Sequence, residues 1–402
     1  MTLDAASEGV FDVLVVGAGP AGTAAACAVR EAGGSVLLLD RRDFPRPKVC
    51  GACLSPRAWG EIEALGLADR LHAEGARTLG RFRVRSSRGE LSAPLPSGRS
   101  GGYRVVSRDR LDLTLLESAV AEGAEWRVAV AREIRVASDV VHLDVTAPSG
   151  GRATLRARAV VLASGLAGFP FDRAGLAAPL IRERSWIGIS GTALVDAGVA
   201  TDDLTMNVAD CGYAGVCVLE DGRVNVAAAI DPNVVETEGA TGAIERIFEQ
   251  AGASPGLDLD RFDFRGTPPL TRRPRSRAGE RIFLAGDASG YVEPFTGEGM
   301  GWALASGRVA GAHAARVARE GWHPSEVVRY EQAWAHRVGR SQRRCARVAW
   351  LLRRPRVRAA ALGAMTYSTR IRKGVLAPFV RPLAAVTARN GNRDRRRSSW
   401  PS

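Results

Sequence analysis

The stretch from Phe11 to Gly22, FDVLVVGAGPAG, constrains the fold more tightly than any other part of the chain. Phe11 to Val16 is a short apolar run rich in β-branched residues, the pattern of a strand buried on both faces of a parallel sheet. It runs directly into Gly17-x-Gly19-x-x-Gly22. Gly17 permits the tight turn, Gly19 lets a pyrophosphate approach the backbone, and Gly22 lets the following helix pack closely on the strand. A helix starting near Pro20 points its free N–H groups and positive dipole end at that phosphate. One such glycine pattern means little in a chain with 45 glycines. Here its context is ordered: an alanine-rich helix, Gly33-Gly34, a second apolar strand from Ser35 to Leu39, and then Asp40. A carboxylate at that distance accepts hydrogen bonds from an adenosine ribose, so the segment predicts dinucleotide binding.

At 402 residues the chain is long enough for two or three substructures. No apolar run reaches the ~18 residues of a membrane span, and six cysteines without a secretory signal predict reduced thiols in a cytoplasmic compartment. The net charge of +13 invites a nucleic-acid reading, but it is concentrated at one end. From Arg337 onward there are 18 basic residues and one acidic residue, Asp394, so the preceding 336 residues are slightly acidic. No nucleic-acid motif accompanies the charge. The basic end contains Val348-Ala-Trp-Leu-Leu352, which makes it a candidate for peripheral contact with an anionic membrane; the competing reading is a solvated basic helix packed on the protein.

Further along, Arg81 to Arg85 and Glu90 to Leu95 read as strands of a second sheet, and Ser107 to Gly123 as a helix. Trp126 to Val130, Val140 to Thr146 and Arg152 to Arg158 read as a meander feeding the apolar strand that starts at Ala159 and returns to the first sheet. Trp186 to Val195, Leu204 to Ala209, Gly215 to Leu219 and Arg223 to Ile230 read as antiparallel strands of the second sheet. The last two flank the hairpin signal Glu220-Asp221-Gly222. A strand from Arg281 to Ala285 meets Gly286-Asp287, followed by Pro294-Phe-Thr-Gly-Glu-Gly-Met300 and a helix studded with small residues up to Glu320. Such a helix packs closely on a neighbour or on a flat ligand. Beyond Pro324 the chain reads as helical and basic, with a disordered last dozen residues.

Three separated motifs resemble the FAD-dependent oxidoreductases that include geranylgeranyl reductases and aromatic hydroxylases. They are the first fingerprint with Asp40; Lys48-Val-Cys50-Gly51 with Ser55-Pro56; and Leu284-Ala-Gly-Asp287 continuing to Gly299-Met300 and Ser306-Gly307. The resemblance implies an α/β fold: a Rossmann-like FAD-binding domain (1–75, 105–170 and 275–325), an interleaved β-sheet substrate domain (76–104 and 171–274), and a basic helical C-terminal region (326–402). It implies that Gly17, Gly19, Gly22, Asp40, Lys48, Cys50, Gly51, Arg108, Asp287, Gly299 and Met300 hold FAD. Asp287 would accept from the ribitol chain, and the Gly299-Met300 backbone would meet the flavin ring. NAD(P)H would reduce the flavin transiently.

The implied reaction is hydroxylation of a lipophilic or aromatic substrate. The alternative is reduction of a C=C bond in a hydrophobic substrate. In the geranylgeranyl reductases a Tyr-x-Trp faces the substrate, whereas Tyr213-Ala-Gly215 here lacks the tryptophan; aromatic hydroxylases carry Asp-Gly where this chain has Ser164-Gly165. Cys50-Gly-Ala-Cys53 admits a third reading, a redox dithiol of a disulfide reductase, with Cys50 as the candidate catalytic residue. Against it, no second glycine-rich fingerprint exists in mid-chain. A metal site at this pair would need two further ligands at suitable spacing, and none is present.

Overall fold

The structure, a computed structural model, describes residues 9–95, 101–166, 168–195, 201–253 and 256–360. The expectation for the last dozen residues lies outside the described residues. Val10–Val16 is the central strand of an eight-stranded sheet, flanked in parallel by Val36–Asp40 on one side and Arg152–Leu162 on the other. Beyond these lie Glu125–Val128 and Ile282–Leu284, also parallel. The interior strands carry Val13, Leu14, Val15, Leu37, Leu38, Val160 and Val161, all essentially inaccessible to solvent. Burial on both faces explains their continuous apolar runs.

One face of this sheet packs on the fingerprint helix Pro20–Glu31 and the long helix Gly299–Glu320. The other packs on the antiparallel pair Val130–Ala137 and Val140–Thr146. Here the sequence reading needs correction. The expected break near Arg158 is absent, because Arg152–Leu162 is one continuous strand of 11 residues. Its first half pairs with Val140–Thr146 and its second half with the central strand. Period-two alternation gives way to continuous apolarity where the strand passes from a half-solvated to a doubly buried setting, and that change of pattern looked like a boundary.

The second sheet has seven strands in the order Arg265–Pro269, Ile187–Ala193, Val224–Ile230, Gly212–Val218, Asp203–Val208, Arg81–Ser86 and Gly89–Pro94. Its outer face is covered by a helical segment not anticipated from the sequence, Pro232–Gln250, which is kinked at Gly239 and packs through Ala243, Ile244, Ile247 and Phe248. Asp231 caps that helix by accepting from the Asn233 N–H at 3.0 Å. The inner face carries Phe82, Met206, Tyr213 and Cys217 toward the first sheet.

The small residues of the long helix have one purpose visible in the packing. A Cβ on Gly307 would fall inside the van der Waals radius of the Ala21 carbonyl oxygen, and one on Gly311 inside that of Ala25. The two helices therefore touch backbone to backbone, Gly307 and Gly311 against Ala21 and Ala25. The neighbour that the small-residue pattern called for is the fingerprint helix. Gly307→Val should overpack this crossing and cost at least about 1–3 kcal/mol of stability, read as a lowered denaturant midpoint with an unchanged slope.

Candidate active site

Gly17 adopts a left-handed conformation with φ +105°, and any side chain there would strike the Ala163 carbonyl. A Cβ on Gly19 would meet only Arg46 Nη2, at 3.8 Å, so the turn stays open on that side. Asp40 closes the second strand. Its Oδ2 accepts from the Ala18 N–H at 3.0 Å and from Arg46 at 2.9 Å, while Oδ1 accepts from the Arg42 N–H at 3.2 Å. The acid thus braces the glycine turn and keeps lone pairs for a further donor. Arg46, which the sequence reading did not single out, also lies 4.0 Å from Asp112.

Asp112 is 0 % exposed and is held bidentately by Arg108, at 2.8 Å for each bond. Burial alone would lower the Arg108 pKa; the Asp112 carboxylate and a hydrogen bond with Cys50 outweigh it and keep the guanidinium firmly charged. Arg108 begins a helix, Arg108–Ala121, whose preceding Ser107 accepts from the Arg110 N–H. Helical spacing brings Arg108 and Asp112 together. This cue for the partner of Arg108 was readable in the sequence.

Cys50 is fixed from the opposite side by the second sheet. Its N–H donates to Ser190 Oγ at 3.1 Å and its carbonyl accepts from Asn225 Nδ2 at 3.3 Å. Gly51 accepts from the Cys217 thiol. Lys48 lines the cleft next to them, and a Cβ on Gly165 would stand 3.4 Å from its Nζ. Its ammonium touches solvent, yet the enclosing walls strip away bulk hydration. That loss, with the charge of Arg108, lowers its pKa, while Asp287 opposes the shift.

Asp287 follows the strand Ile282–Leu284 in a single 3-10 turn that starts at Gly286, φ +60°. The Gly286 N–H donates to Ser306 Oγ at 2.9 Å, which ties the turn to the long helix. Burial raises the Asp287 pKa, and Lys48, Arg108 and Arg272 pull it back. Among the described residues none donates a hydrogen bond to its carboxylate, although three cations surround it. In the loop after the strand Arg152–Leu162, Ser164 Oγ is buried and finds no hydrogen-bond partner among the described residues. Gly299 and Met300 open the long helix, but the Met300 side chain packs away from the cleft against Trp59, Ala58 and Leu304. Only its backbone is available there.

Ion pairs, hydrogen bonds and charge coupling thus link Asp40, Lys48, Cys50, Arg108 and Asp287 into one network beside the Gly17–Gly19 turn, and Gly22 is a packing residue: a Cβ there would collide with the Gly17 carbonyl. An unpaired carboxylate, an orphaned hydroxyl and an open glycine turn are what a long, hydroxylated, phosphate-bearing cofactor would engage. Comparison with known proteins agrees. The family described as "FAD binding domain" matches residues 10–341. The chain belongs to the FAD-binding-domain flavoproteins, and it is an FAD-dependent oxidoreductase.

Among curated proteins, this flavoprotein is 32% identical to a menaquinone reductase of Mycobacterium tuberculosis over 324 residues, 74% of this chain and 75% of the relative. It is 30% identical to digeranylgeranylglycerophospholipid reductase 2 of Methanopyrus kandleri over 348 residues, 82% and 84% of the two chains. Among solved structures, p-nitrophenol 4-monooxygenase of Pseudomonas putida shares the fold, with a TM-score of 0.74 at 20% identity, covering 93% of this chain and 99% of that one.

The buried cluster of this flavoprotein that includes Ala52 and Cys53, beside the Cys50-Gly51 loop, is rich in aromatic rings. Tyr213 stands edge-on to Trp186 at 6.0 Å between centroids and to Phe295 at 4.9 Å. Leu166, Tyr291, Val348 and Leu352 join the same cluster. Trp186 supplies from a neighbouring segment an indole that the Tyr213-Ala-Gly215 triplet lacks. Space at Gly215 is taken by Met206, whose sulfur lies 2.9 Å from where a Cβ would be. Trp186 was missed because the partner of Tyr213 lies 27 positions away in the sequence.

The C-terminal region buttresses the cofactor loop from behind. Gln342 donates to the Gly290 carbonyl at 2.8 Å, Trp334 to Ser289 Oγ at 2.9 Å and Trp302 to Ser341 Oγ at 3.0 Å. Glu293, 0 % exposed, is paired with Arg353, whose guanidinium also lies 4.0 Å above the Trp186 ring. Burial raises the Glu293 pKa and Arg353 opposes it.

All six cysteines are free thiols. Burial pushes Cys53 well above the usual thiol range and Cys217 and Cys345 up to about 12. Only thiolates react readily, so Cys53 is poorly suited to a dithiol role. In flavin-stripped protein at neutral pH, iodoacetamide should label Cys50 and spare Cys53, Cys217 and Cys345, as mapped by peptide mass. Equal labelling of Cys53, with a Cys50–Cys53 disulfide after oxidation, would restore the dithiol reading.

Proposed function

We propose that this flavoprotein saturates a C=C bond in a long, apolar, isoprenoid-type substrate, with a nicotinamide as the source of electrons. The observation that carries the reading is the buried cluster in which Trp186, Tyr213, Phe295, Val348 and Leu352 pack beside Ala52 and Cys53, next to the Cys50-Gly51 loop, apolar and aromatic surroundings suited to a flexible hydrocarbon. The motifs alone lean slightly to hydroxylation. The balance moves to reduction because Trp186 makes good the missing indole and because the reductases named above are relatives at 30–32% identity.

In this reading the Gly17–Gly22 turn holds the pyrophosphate, Asp40 the adenosine ribose, Asp287 the ribitol hydroxyls, and the Gly299-Met300 backbone the ring. Lys48, Arg108, Cys50 and Gly51 line the ring's surroundings. FAD, when bound, supplies the hydride and takes its replacement from NAD(P)H. Saturating a double bond requires one hydride and one proton. In this reading Cys50 Sγ delivers the proton, and the nearby Arg108 guanidinium offsets the negative charge left on sulfur. Ser190 and Asn225 fix the Cys50 backbone so that the thiol keeps its aim. The apolar cluster excludes water and so withholds competing proton donors.

Two outcomes test this. Asp287→Ala should lower FAD affinity by about 1.5–3 kcal/mol, the worth of a charge-assisted bond, and unchanged flavin content would place the ribitol elsewhere. Given NADPH and polyprenyl substrates without oxygen, the wild-type protein should yield a product heavier by two hydrogens. Cys50→Ala should slow that turnover about 10²-fold or more while leaving flavin reduction by NADPH intact. A product heavier by one oxygen, formed only in air, would establish hydroxylation instead.

A further inference from the structure

The helix Arg340–Leu352 spends its apolar side on the protein. Gln342, Cys345, Ala349 and Leu352 are buried, and Val348 and Leu352 join the apolar, aromatic cluster. This revises the expectation that Val348 to Leu352 forms an outward apolar stripe, since Trp350 is its one fully outward member. The outward side is a different surface: Arg343, Arg347 and Trp350 recur at helical spacing, Arg354 continues the row, and all four are exposed. Trp350 is 45% exposed, and the Arg354 guanidinium lies 3.9 Å over its ring.

Arg337, Arg353 and Arg358 each find a carboxylate, in Glu61, Glu293 and Asp210. Among the described residues no carboxylate pairs with Arg343, Arg347 or Arg354, and the sequence from Arg337 to Ala360 contains no acidic residue at all. A second exposed segment adjoins this one. Arg353 donates to the Arg184 carbonyl at 2.9 Å, which ties the end of the helix to a stretch where Leu180 is 42% and Ile181 53% exposed beside Arg182 and Arg184.

We propose that this row of arginines with Trp350, together with the adjoining Leu180–Arg184 segment, docks the protein on an anionic lipid bilayer. Unpaired cations meet lipid phosphates, and Trp350, Leu180 and Ile181 enter the headgroup layer, where an amphipathic ring is at home. A nucleic acid would be served by the arginines but gives no use to the aliphatic pair. Position supports the choice of occupant: the helix that presents the cations outward packs its inner side into the apolar, aromatic cluster of the proposed substrate region. The inference rests on the proposed apolar substrate only for its purpose, since docking itself depends on the surface alone.

The test is co-sedimentation of full-length, flavin-loaded protein with vesicles of phosphatidylcholine, with and without phosphatidylglycerol, across a salt series. Binding should require the anionic lipid and fade with salt. Arg343→Gln and Arg347→Gln should each weaken partitioning about 5-fold. The pair Trp350→Ser with Ile181→Asp should weaken it at every salt concentration. These variants should keep wild-type flavin content and wild-type turnover of detergent-dispersed substrate. Equal binding to neutral vesicles, no pelleting at low salt, retention on RNA in place of vesicles, or indifference to all these substitutions would overturn the docking surface. Loss of docking with turnover intact would leave the reductase reading standing; docking without C=C reduction would strike that reading alone.

Discussion

Everything around the cleft depends on the contact between two helices that have given up their side chains. Gly307 and Gly311 let the long helix lie directly on Ala21 and Ala25 of the fingerprint helix. With a Cβ at either glycine the helices would separate, and the distance between the first glycine turn and the Gly286–Asp287 turn would grow with them. Ser306, next to Gly307, receives the Gly286 N–H, so the crossing fixes the acidic turn directly. A cofactor long enough to touch both the pyrophosphate turn and Asp287 needs that separation held constant. Dense backbone contact sets it more firmly than interlocking side chains, which have rotamers to adjust.

Charge inside the cleft is arranged on the same frame. Arg108 and Arg46 share the buried Asp112, and Arg46 reaches on to Asp40, so a chain of ion pairs runs beneath the cofactor cleft. Taking these charges out of water is expensive unless each finds a partner. Asp287 stands apart, with cations near but no hydrogen bond donated to it by a described residue. A carboxylate left so is an acceptor reserved for something other than the chain, and Lys48, Arg108 and Arg272 oppose the rise in pKa that burial imposes on it.

Local pattern made much of this legible. The glycine turn, the two apolar strands, Asp40, the Arg108 helix and the Asp287 turn each announce themselves within a dozen residues, because strand burial, turn conformation and helix capping are short-range physics. What escaped reading lies between distant segments. Trp186 meets Tyr213 only after two strands fold back, Arg46 meets Asp112 across 66 positions, and Glu293 waits for Arg353. The helix Pro232–Gln250 was overlooked because its exposed first half, rich in glutamate and glycine, carries almost no apolar period. The basic end was read either as a membrane-contact patch or as a solvated basic helix packed on the protein, and among the described residues one side of its helix is core. Its buried Trp334, Gln342, Cys345 and Leu352 are spaced as a helix face, but the arginines between them mask the stripe.

The long helix also governs when the protein can acquire its function as it leaves the ribosome. Two central strands of the sheet lie within residues 10 to 40, yet its strand Ile282–Leu284 and the helix that covers the fingerprint arrive only with the last third of the chain. Until Glu320 has emerged, the alanine-rich helix Pro20–Glu31 has no partner for its flattened side, and the first glycine turn faces no Asp287. Synthesis at about 5–20 residues per second leaves that surface uncovered for roughly ten seconds or longer. Both halves of the flavin site are therefore present together only after the last third of the chain has emerged, so flavin binding belongs to the late steps of folding.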